Sequence, residues 1–453
     1  MSNYRVYPSD APRCWPRAAG AIGAFEPTLA QAVAKATEPS LNAVDAGPGA
    51  SLWLDREPLR WSGGSAEGWA WSEGLFAPDG VNDWRSASRR LGACGLVRER
   101  KLVHLHSSVA GAIPLYYRAI GGAVYFSTRI DALATALPGT LSVDWEAWSS
   151  IFCLSFPAGD RTPFADIKRL RPFATLAATR KGPEVVQHDW PWAEVEPVRT
   201  RAEALPDVLE AMRAAIAPLA ERPVVSALSG GWDSRLILSL LLEHNPRPEI
   251  EAFTVNTDVG KTTEEDPATA VADAAGVSHE VVIGKPGAYW DEFCERYRRS
   301  EYQRQSNAWL VTLSRRIAGT DGFVTDAVAT AVLSVDPSEK FEGELYHDLL
   351  EAANPKLAAL PSTHEIPSGG PSAGFQRRVQ PAVVAEYQRV LERSPLRPLL
   401  AKRITDRIED GQLGEMLGRQ RPHWRIAVIV MFSLWAERYR DQLGEIDTSP
   451  LSS

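Results

Sequence analysis

The sequence predicts two folded parts: an α+β unit over residues 1–200, and an α/β unit over residues 201–453 with a doubly wound parallel sheet and helical C-terminal additions. Three observations carry this. In roughly the first 145 residues, short apolar runs are broken by Gly, Pro, Asn and Asp, the pattern of strands and turns. From Pro223 onward, apolar runs of strand length alternate with runs of helical spacing. Residues 336–450 are mostly of helical period. A chain of 453 residues is also too long for one ordinary core.

The elements follow in order. PTLAQAVAKA after Glu26 reads as a helix. LVHLHSSV (102–109), IPLYY (113–117) and AVYFST (123–128) read as strands, and Gly121-Gly122 as the hairpin turn between the last two. Residues 141–200 form a connecting segment with short strands, in which TPFADIKRLRPFATLAATRKG (162–182) passes from a Pro-marked loop into an alternating run. EALPDVLEAMRAAIAPLAE (203–221) is a helix with an acidic start. VVSAL (224–228) has the continuous apolar character of a buried parallel strand. A glycine turn and the helix SRLILSLLLEH (234–244) follow it. EIEAFTV (249–255), EVVIG (280–284) and GFVTD (322–326) read as further strands, and DPATAVADAAG (266–276) as a helix rich in small residues. LPSTHEIPSGGPSAG (360–374) is rich in Pro, Ser and Gly. The apolar run 426–432, continued through 434–436, reads as a buried C-terminal helix, since spanning a bilayer takes about 18 to 20 residues.

Composition narrows the function. Hydrophobic residues make up 44% and charged residues 23%, the balance of a globular protein. The formal net charge of -8 provides no global field for nucleic acid, so no nucleic-acid partner and no membrane partner is expected. Cys14, Cys94, Cys153 and Cys294 are far apart and form no CxxC, which argues against a zinc knuckle, a thioredoxin-like redox pair and a disulfide framework. The N-terminus has no basic region followed by an apolar one, and the expected location is cytoplasmic.

The chemistry is concentrated in Ser229-Gly230-Gly231-Trp232-Asp233-Ser234, set between a buried strand and a helix. Adjacent glycines let a backbone approach a ligand closely. Successive N–H groups and the helix N-terminus then form an anion site. The hydroxyls of Ser229 and Ser234 can donate to phosphate oxygens. A carboxylate at Asp233 fits such a site when a cation lies between it and the phosphates, and Mg²⁺ bridges those oxygens. No GxxxxGK[ST] and no GxGxxG occurs here, so the loop is neither a Walker A loop nor a dinucleotide fingerprint.

This SGGxDS pattern resembles the signature of PP-loop ATP pyrophosphatases. More widely, the chain resembles the asparagine synthetase-like amide-forming enzymes, which join a glutaminase-type domain to a PP-loop synthetase domain. The segments that carry the likeness are SSVAGAIPLYYRAIGGAVYFSTRIDAL (107–133), TPFADIKRLRPFATL (162–176), FTVNTD (253–258), EEDPATAVADAAGVSHEVV (264–282) and GFVTDAVATAVL (322–333). It spans roughly residues 90–335.

The resemblance implies an N-terminal degenerate Ntn-hydrolase (glutaminase-like) fold, then a PP-loop (adenine nucleotide α-hydrolase-like) fold. It also implies ATP and Mg²⁺ as the bound groups. Leu228, Ser229, Gly230, Gly231, Asp233, Ser234, Val255 and Thr325 would line the ATP site, with Asp233 as metal ligand and Asp326 near the ribose or α-phosphate. Arg421 and Arg425, in the basic run GRQRPHWR (418–425), are the candidates for stabilising developing charge, beside a surface or structural reading of the same run. The expected activity is adenylation of a small-molecule or peptide carboxylate, with release of pyrophosphate and amide formation.

Two departures shape that expectation. Glutamine-hydrolysing members use an N-terminal cysteine, and position 2 here is Ser2, so the amine is expected from the substrate itself. That pattern resembles the β-lactam synthetases and lasso-peptide macrolactam cyclases, and it brings a precursor peptide and a partner protein into the expectation. The family's second phosphate/metal motif reads here as 325–333, with Ala and Val in place of glycines and Thr330 or Ala331 in place of the second metal carboxylate. Asp326, Glu264, Glu265 or Asp266 are the substitutes. The rival readings are a catalytically impaired scaffold, a glutamine-dependent asparagine synthetase and a tRNA-modifying PP-loop enzyme. Lys261 is expected to be solvated, Glu301, Tyr302 and Arg304 to lie on a solvated helix face, and His104 and His106 to share one strand face in packing or surface roles.

Overall fold

The computed structural model describes residues 16–63, 66–72, 83–91, 93–109, 111, 113–221, 223–256, 264–283, 286–304, 326–363 and 377–451. Among the described residues, twelve strands build the N-terminal part: β1 (Ala18–Gly23), β2 (Asn42–Val44), β3 (Ala50–Leu54), β4 (Leu59–Gly63), β5 (Ala66–Trp71), β6 (Cys94–Glu99), β7 (Leu102–His106), β8 (Tyr116–Ile120), β9 (Ala123–Ser127), β10 (Lys168–Arg169), β11 (Ala174–Thr179) and β12 (Gly182–Gln187). They form two six-stranded sheets, ordered β10-β8-β9-β1-β3-β2 and β12-β11-β7-β6-β5-β4. The expected hairpin is present: Ile120 pairs with Ala123 across Gly121 and Gly122, both at positive φ. The strand expected at 113–117 begins later, at Tyr116. Ile113 and Leu115 are instead buried ahead of it, in the core between the sheets.

Strand β1 shows why the sheets stack. Its sequence AAGAIG is small and apolar on both faces. Ala18 and Ile22 enter the core shared with Leu54, Trp71, Leu96 and Leu176. Ala19 and Ala21 face the other way, beneath α1 (Pro27–Thr37), which starts on Pro27 at N1. Three further helices follow: α2 (Trp84–Leu91), α3 (Ile130–Ala136) and α4 (Trp145–Leu154).

The second part opens with α5 (Arg201–Ile216), whose start is fixed by a capping box: Thr200 Oγ1 accepts from Glu203 N and Glu203 Oε2 accepts from Thr200 N. The helix gives way to a 3-10 turn at Ala217–Leu219, short of the predicted end at 221. Next come β13 (Val224–Ala227), α6 (Trp232–Leu242), β14 (Ile250–Asn256), α7 (Glu265–Ala275), β15 (Ser278–Ile283) and α8 (Tyr289–Arg299). The three strands pair in parallel, in the order β13-β14-β15, with α6 and α7 in the crossovers. The strand expected at 322–326 falls mostly outside the described residues, and Asp326 opens a helix, α9 (Asp326–Leu333). The remaining helices are α10 (Glu344–Ala353), α11 (Pro355–Ala358), α12 (Pro381–Glu392), α13 (Lys402–Glu409), α14 (Leu413–Leu417) and α15 (Gln420–Arg438).

The cores divide unevenly. One gathers α5, α6, α7, α9 and α10 around the parallel sheet. Another joins α1, α3 and α4 to α8, α12, α14 and α15 in a single cluster. Trp435 of α15 lies 5.1 Å from both Trp148 and Phe164, and Leu141 N donates to Gln442 O. Helix α15 buries Ile426, Val430, Met431 and Phe432, as its apolar run predicts. No helix among the described residues is long and apolar enough to cross a membrane.

Candidate functional site

The loop Ser229–Ser234 leaves the carboxyl end of β13 and enters α6, the position where open α/β sheets bind ligands. Leu228 is buried and anchored twice: its N–H donates to Phe253 O at 2.8 Å, and its carbonyl accepts from Thr254 Oγ1 at 2.7 Å. Since that hydroxyl donates to Leu228, His279 Nε2, 2.8 Å away, must donate to it. Val255, the next residue on β14, is half-buried and pairs with Val282 of β15.

Gly230 is the most constrained residue of the loop. Its carbonyl accepts from Thr363 N (2.9 Å) and Arg235 Nη2 (3.3 Å). Its N–H donates to Glu264 Oε2 at 2.7 Å. An added Cβ would lie 2.4 Å from Thr363 Cγ2 and 3.1 Å from Pro267 Cβ. Glycine is required here for close approach, not for a left-handed backbone, because neither Gly230 nor Gly231 has a positive φ. Gly231 is extended and precedes α6, and no side chain caps that helix. The hydroxyls of Ser229 and Ser234 lie 3.0 Å apart; Ser234 Oγ accepts from Ser229 N, and Ser229 Oγ from Gly231 N. Ser229 and Asp233 are exposed.

This donor set fits a phosphate chain. Two hydroxyls and an uncapped helix start face solvent at the end of a parallel strand. The Asp233 carboxylate in the first helical turn fits a cation bridging to those phosphates. One donor of the nest, Gly230 N–H, is held by the Glu264 carboxylate, an anion supplied by the chain itself.

The other candidates separate from this group or lie outside the described residues. Thr325 and Lys261 fall outside them, as do the side chains of Asp326 and Arg421. Arg425 is exposed on α15, a helix that packs in the cluster shared with the N-terminal helices. Glu264 touches the loop directly, Glu265 is buried, and Asp266 is exposed in the first turn of α7. Thr330 is exposed on α9, while Ala329 of that helix packs against Val109, Phe173 and Trp192. His104 and His106 do share a face of β7. The buried His106 ring stacks on Trp84 at 4.3 Å, and burial holds its imidazole well below the usual range.

The solvated face expected for Glu301 and Tyr302 is corrected: both are buried and both have left-handed backbone, φ 50° and 59°. Glu301 follows α8 and reaches back to α3, where its carboxylate accepts from Ile130 N (3.0 Å) and Asp131 N (2.9 Å). It supplies the N-terminal cap that α3 lacks locally. Burial nevertheless pushes the Glu301 carboxyl up.

Sequence reading also missed Arg235. It lies within an apolar helical run, fully buried, and its guanidinium donates to the carbonyls of Gly230, Leu357, Leu360 and Pro361. That fork fastens residues 357–361 behind the loop. A second missed grouping is His347, Asp348 and Glu351 on α10, whose ligand atoms lie within 4.8 Å of one another. The spacing i, i+1, i+4 is its signal in the sequence. The His347 ring packs edge-on against Trp232 at 5.5 Å, and Asp348 is engaged by Arg201 Nε at 2.6 Å.

Comparison with known proteins gives three findings. Residues 207–325 match the family model described as asparagine synthase. Over 185 residues the chain is 28% identical to asparagine synthetase [glutamine-hydrolyzing] 1 of Bacillus subtilis (strain 168), covering 40% of this chain and 29% of that protein. The chain thus spans less than a third of the length of the curated relative it matches. Among solved structures, glutamine phosphoribosylpyrophosphate (PRPP) amidotransferase from B. subtilis, complexed with ADP and GMP, aligns at 9% identity with a TM-score of 0.24, over 58% of this chain and 65% of that chain.

Proposed function

We propose that this chain, whose residues 207–325 match the asparagine synthase family model, is an ATP-dependent carbon–nitrogen ligase that adenylates a carboxylate and releases pyrophosphate. The observation that carries this reading is the Ser229–Ser234 loop: an uncapped helix start with two hydroxyls and a carboxylate at the end of a parallel strand. In the reaction, a substrate carboxylate oxygen bonds to the α-phosphorus of ATP and pyrophosphate leaves. An amine nitrogen then bonds to the acyl carbon, AMP leaves with the bonding pair, and the amine gives up a proton. The chain's part is to hold and orient the phosphates, through Ser229, Ser234 and the α6 N–H groups. Mg²⁺ held by Asp233 would neutralise charge on the departing pyrophosphate. The amine belongs to the substrate, as in a cyclase of natural-product biosynthesis of the lasso-peptide kind, with a precursor peptide and a partner protein as its associates. The N-terminal sheets are read as an Ntn-hydrolase-like unit without glutaminase activity.

The test is thermal stabilisation by ATP with Mg²⁺. At about 100 times its dissociation constant, a ligand stabilises the native state by about 2.7 kcal/mol. Asp233→Ala should abolish the metal-dependent part of the shift. No shift at millimolar ATP, with or without metal, sinks the reading and favours an impaired scaffold. That second reading rests on the Glu264 carboxylate already seated on Gly230 N–H and on the glycine-free segment 326–333. Release of glutamate from glutamine would instead favour glutamine-dependent asparagine synthesis.

A further inference from the structure

We propose that the cleft between α12 and the C-terminal end of α15 is a second ligand site, for a small molecule that joins one carboxylate to an apolar body. The cleft encloses about 370 Å³, within the range of small-molecule pockets. Arg389 and Arg393 are four residues apart, and Ser433, Ala436, Glu437 and Arg440 recur at helical spacing, so each helix turns one face to it. Of its buried lining residues Val390, Ala436 and Leu443 are apolar, and the Ser433 hydroxyl lies within hydrogen-bond distance of Ser394 Oγ (2.7 Å) and Ile429 O (2.8 Å).

The rim is charged and unbalanced. Arg389 is held by Glu386 at 2.8 Å. Arg393 and Arg440 have no carboxylate partner among the described residues, and both line the cleft with the exposed Glu437. Two unpaired guanidinium groups against one carboxylate leave one unit of positive charge above an apolar floor. A single carboxylate with a hydrocarbon tail satisfies both parts. Acetate has almost no apolar surface to offer the floor, and a neutral alcohol makes only ordinary hydrogen bonds with the rim in place of charge-assisted ones. The cleft shares no residue with the Ser229–Ser234 loop, and its helices pack in a different cluster from α6. Its occupant is therefore an effector, or the remote part of a larger molecule, and not the reacting group.

Isothermal titration of the full chain with octanoate tests this, with acetate and 1-octanol alongside. Octanoate should bind saturably, one per chain, at least tenfold more tightly than either control. Arg393→Ala and Arg440→Ala should each weaken it about fivefold or more, and Glu437→Gln should tighten it. Mg²⁺-ATP stabilisation should be unchanged in all three variants, so the outcome does not depend on the nucleotide reading. Absence of saturable octanoate binding at millimolar concentration overturns the proposal. So does octanoate affinity that stays the same in both arginine variants while their thermal midpoints fall, since the arginines would then serve only the helix C-termini.

Discussion

Lowering the pH from 7 to 5 should cost the folded protein about 2 kcal/mol through His423. This imidazole is buried where α8, α12 and α15 meet. Its Nδ1 lies 2.9 Å from Arg378 Nη1, and its Nε2 lies 3.2 Å from the hydroxyls of Tyr289 and Tyr387. A guanidinium only donates, so Nδ1 holds the lone pair and Nε2 the hydrogen. Protonating Nδ1 would break the Arg378 bond and add a cation beside Arg378 and Arg296. Burial first, and then those two arginines, push the imidazole from 6.5 down to about 2. In the unfolded chain the ring takes its proton near 6.5. The folded value lies below the unfolded one, so the stability from keeping the ring neutral is full above pH 6.5 and is lost as the pH falls toward 2. The unfolded state gains about 0.2 kcal/mol from this proton at pH 7 and about 2 kcal/mol at pH 5. Urea unfolding of the wild type and of His423→Asn, which keeps an acceptor for Arg378 and does not titrate, isolates the effect from the carboxylates. The stability difference between the two proteins should change by about 2 kcal/mol across this range. A difference that stays flat from pH 7 to pH 5 refutes the buried neutral ring.

Three further outcomes are expected. Gly230→Ala places a methyl 2.4 Å from Thr363 Cγ2 and should cost about 1–3 kcal/mol in chemical denaturation, with weaker ATP binding. Glu264→Ala frees Gly230 N–H and removes a negative charge from the nest; calorimetry without metal should show pyrophosphate binding about tenfold more tightly, or about 1.4 kcal/mol. Unchanged affinity would mean that the carboxylate does not stand where an anion binds. Glu301→Ala strips the cap from α3 and should cost about 2–4 kcal/mol, with faster hydrogen exchange at Ile130 and Asp131.

The strand–loop–helix at 224–242 was legible because everything it needs is local: an apolar run, two glycines and a helical period. The hairpin at Gly121-Gly122 was legible for the same reason. What was hidden depends on distant partners. Glu301 sits among charged residues, SEYQR, that read as a solvated face, and its role appears only when α3 arrives from 170 positions earlier. Arg235 lies within an apolar helical run, and three of its four carbonyl acceptors, those of Leu357, Leu360 and Pro361, are more than 120 positions away and leave no mark of their own in the sequence. The run 418–425 read as basic, while the residue that matters most in it, His423, is buried and neutral. Side-chain polarity predicts exposure on average, and it fails where a buried charge or imidazole finds backbone or arginine partners.

The joint cluster of α1, α3, α4, α8, α12, α14 and α15 bears on how such a protein can be rearranged. Its early and late helices are stitched together: Arg438 and Tyr439 bond to Asp131, and Trp145 Nε1 donates to Asp447 O. The nucleotide-binding candidate is threaded between the two halves of that cluster, somewhat as a cassette is inserted into a host. Replacing the first 200 residues with those of a relative would strand the late helices without a floor. A viable chimera has to exchange both segments together, and a cut after residue 363 should unfold the N-terminal helices long before it disturbs the parallel sheet.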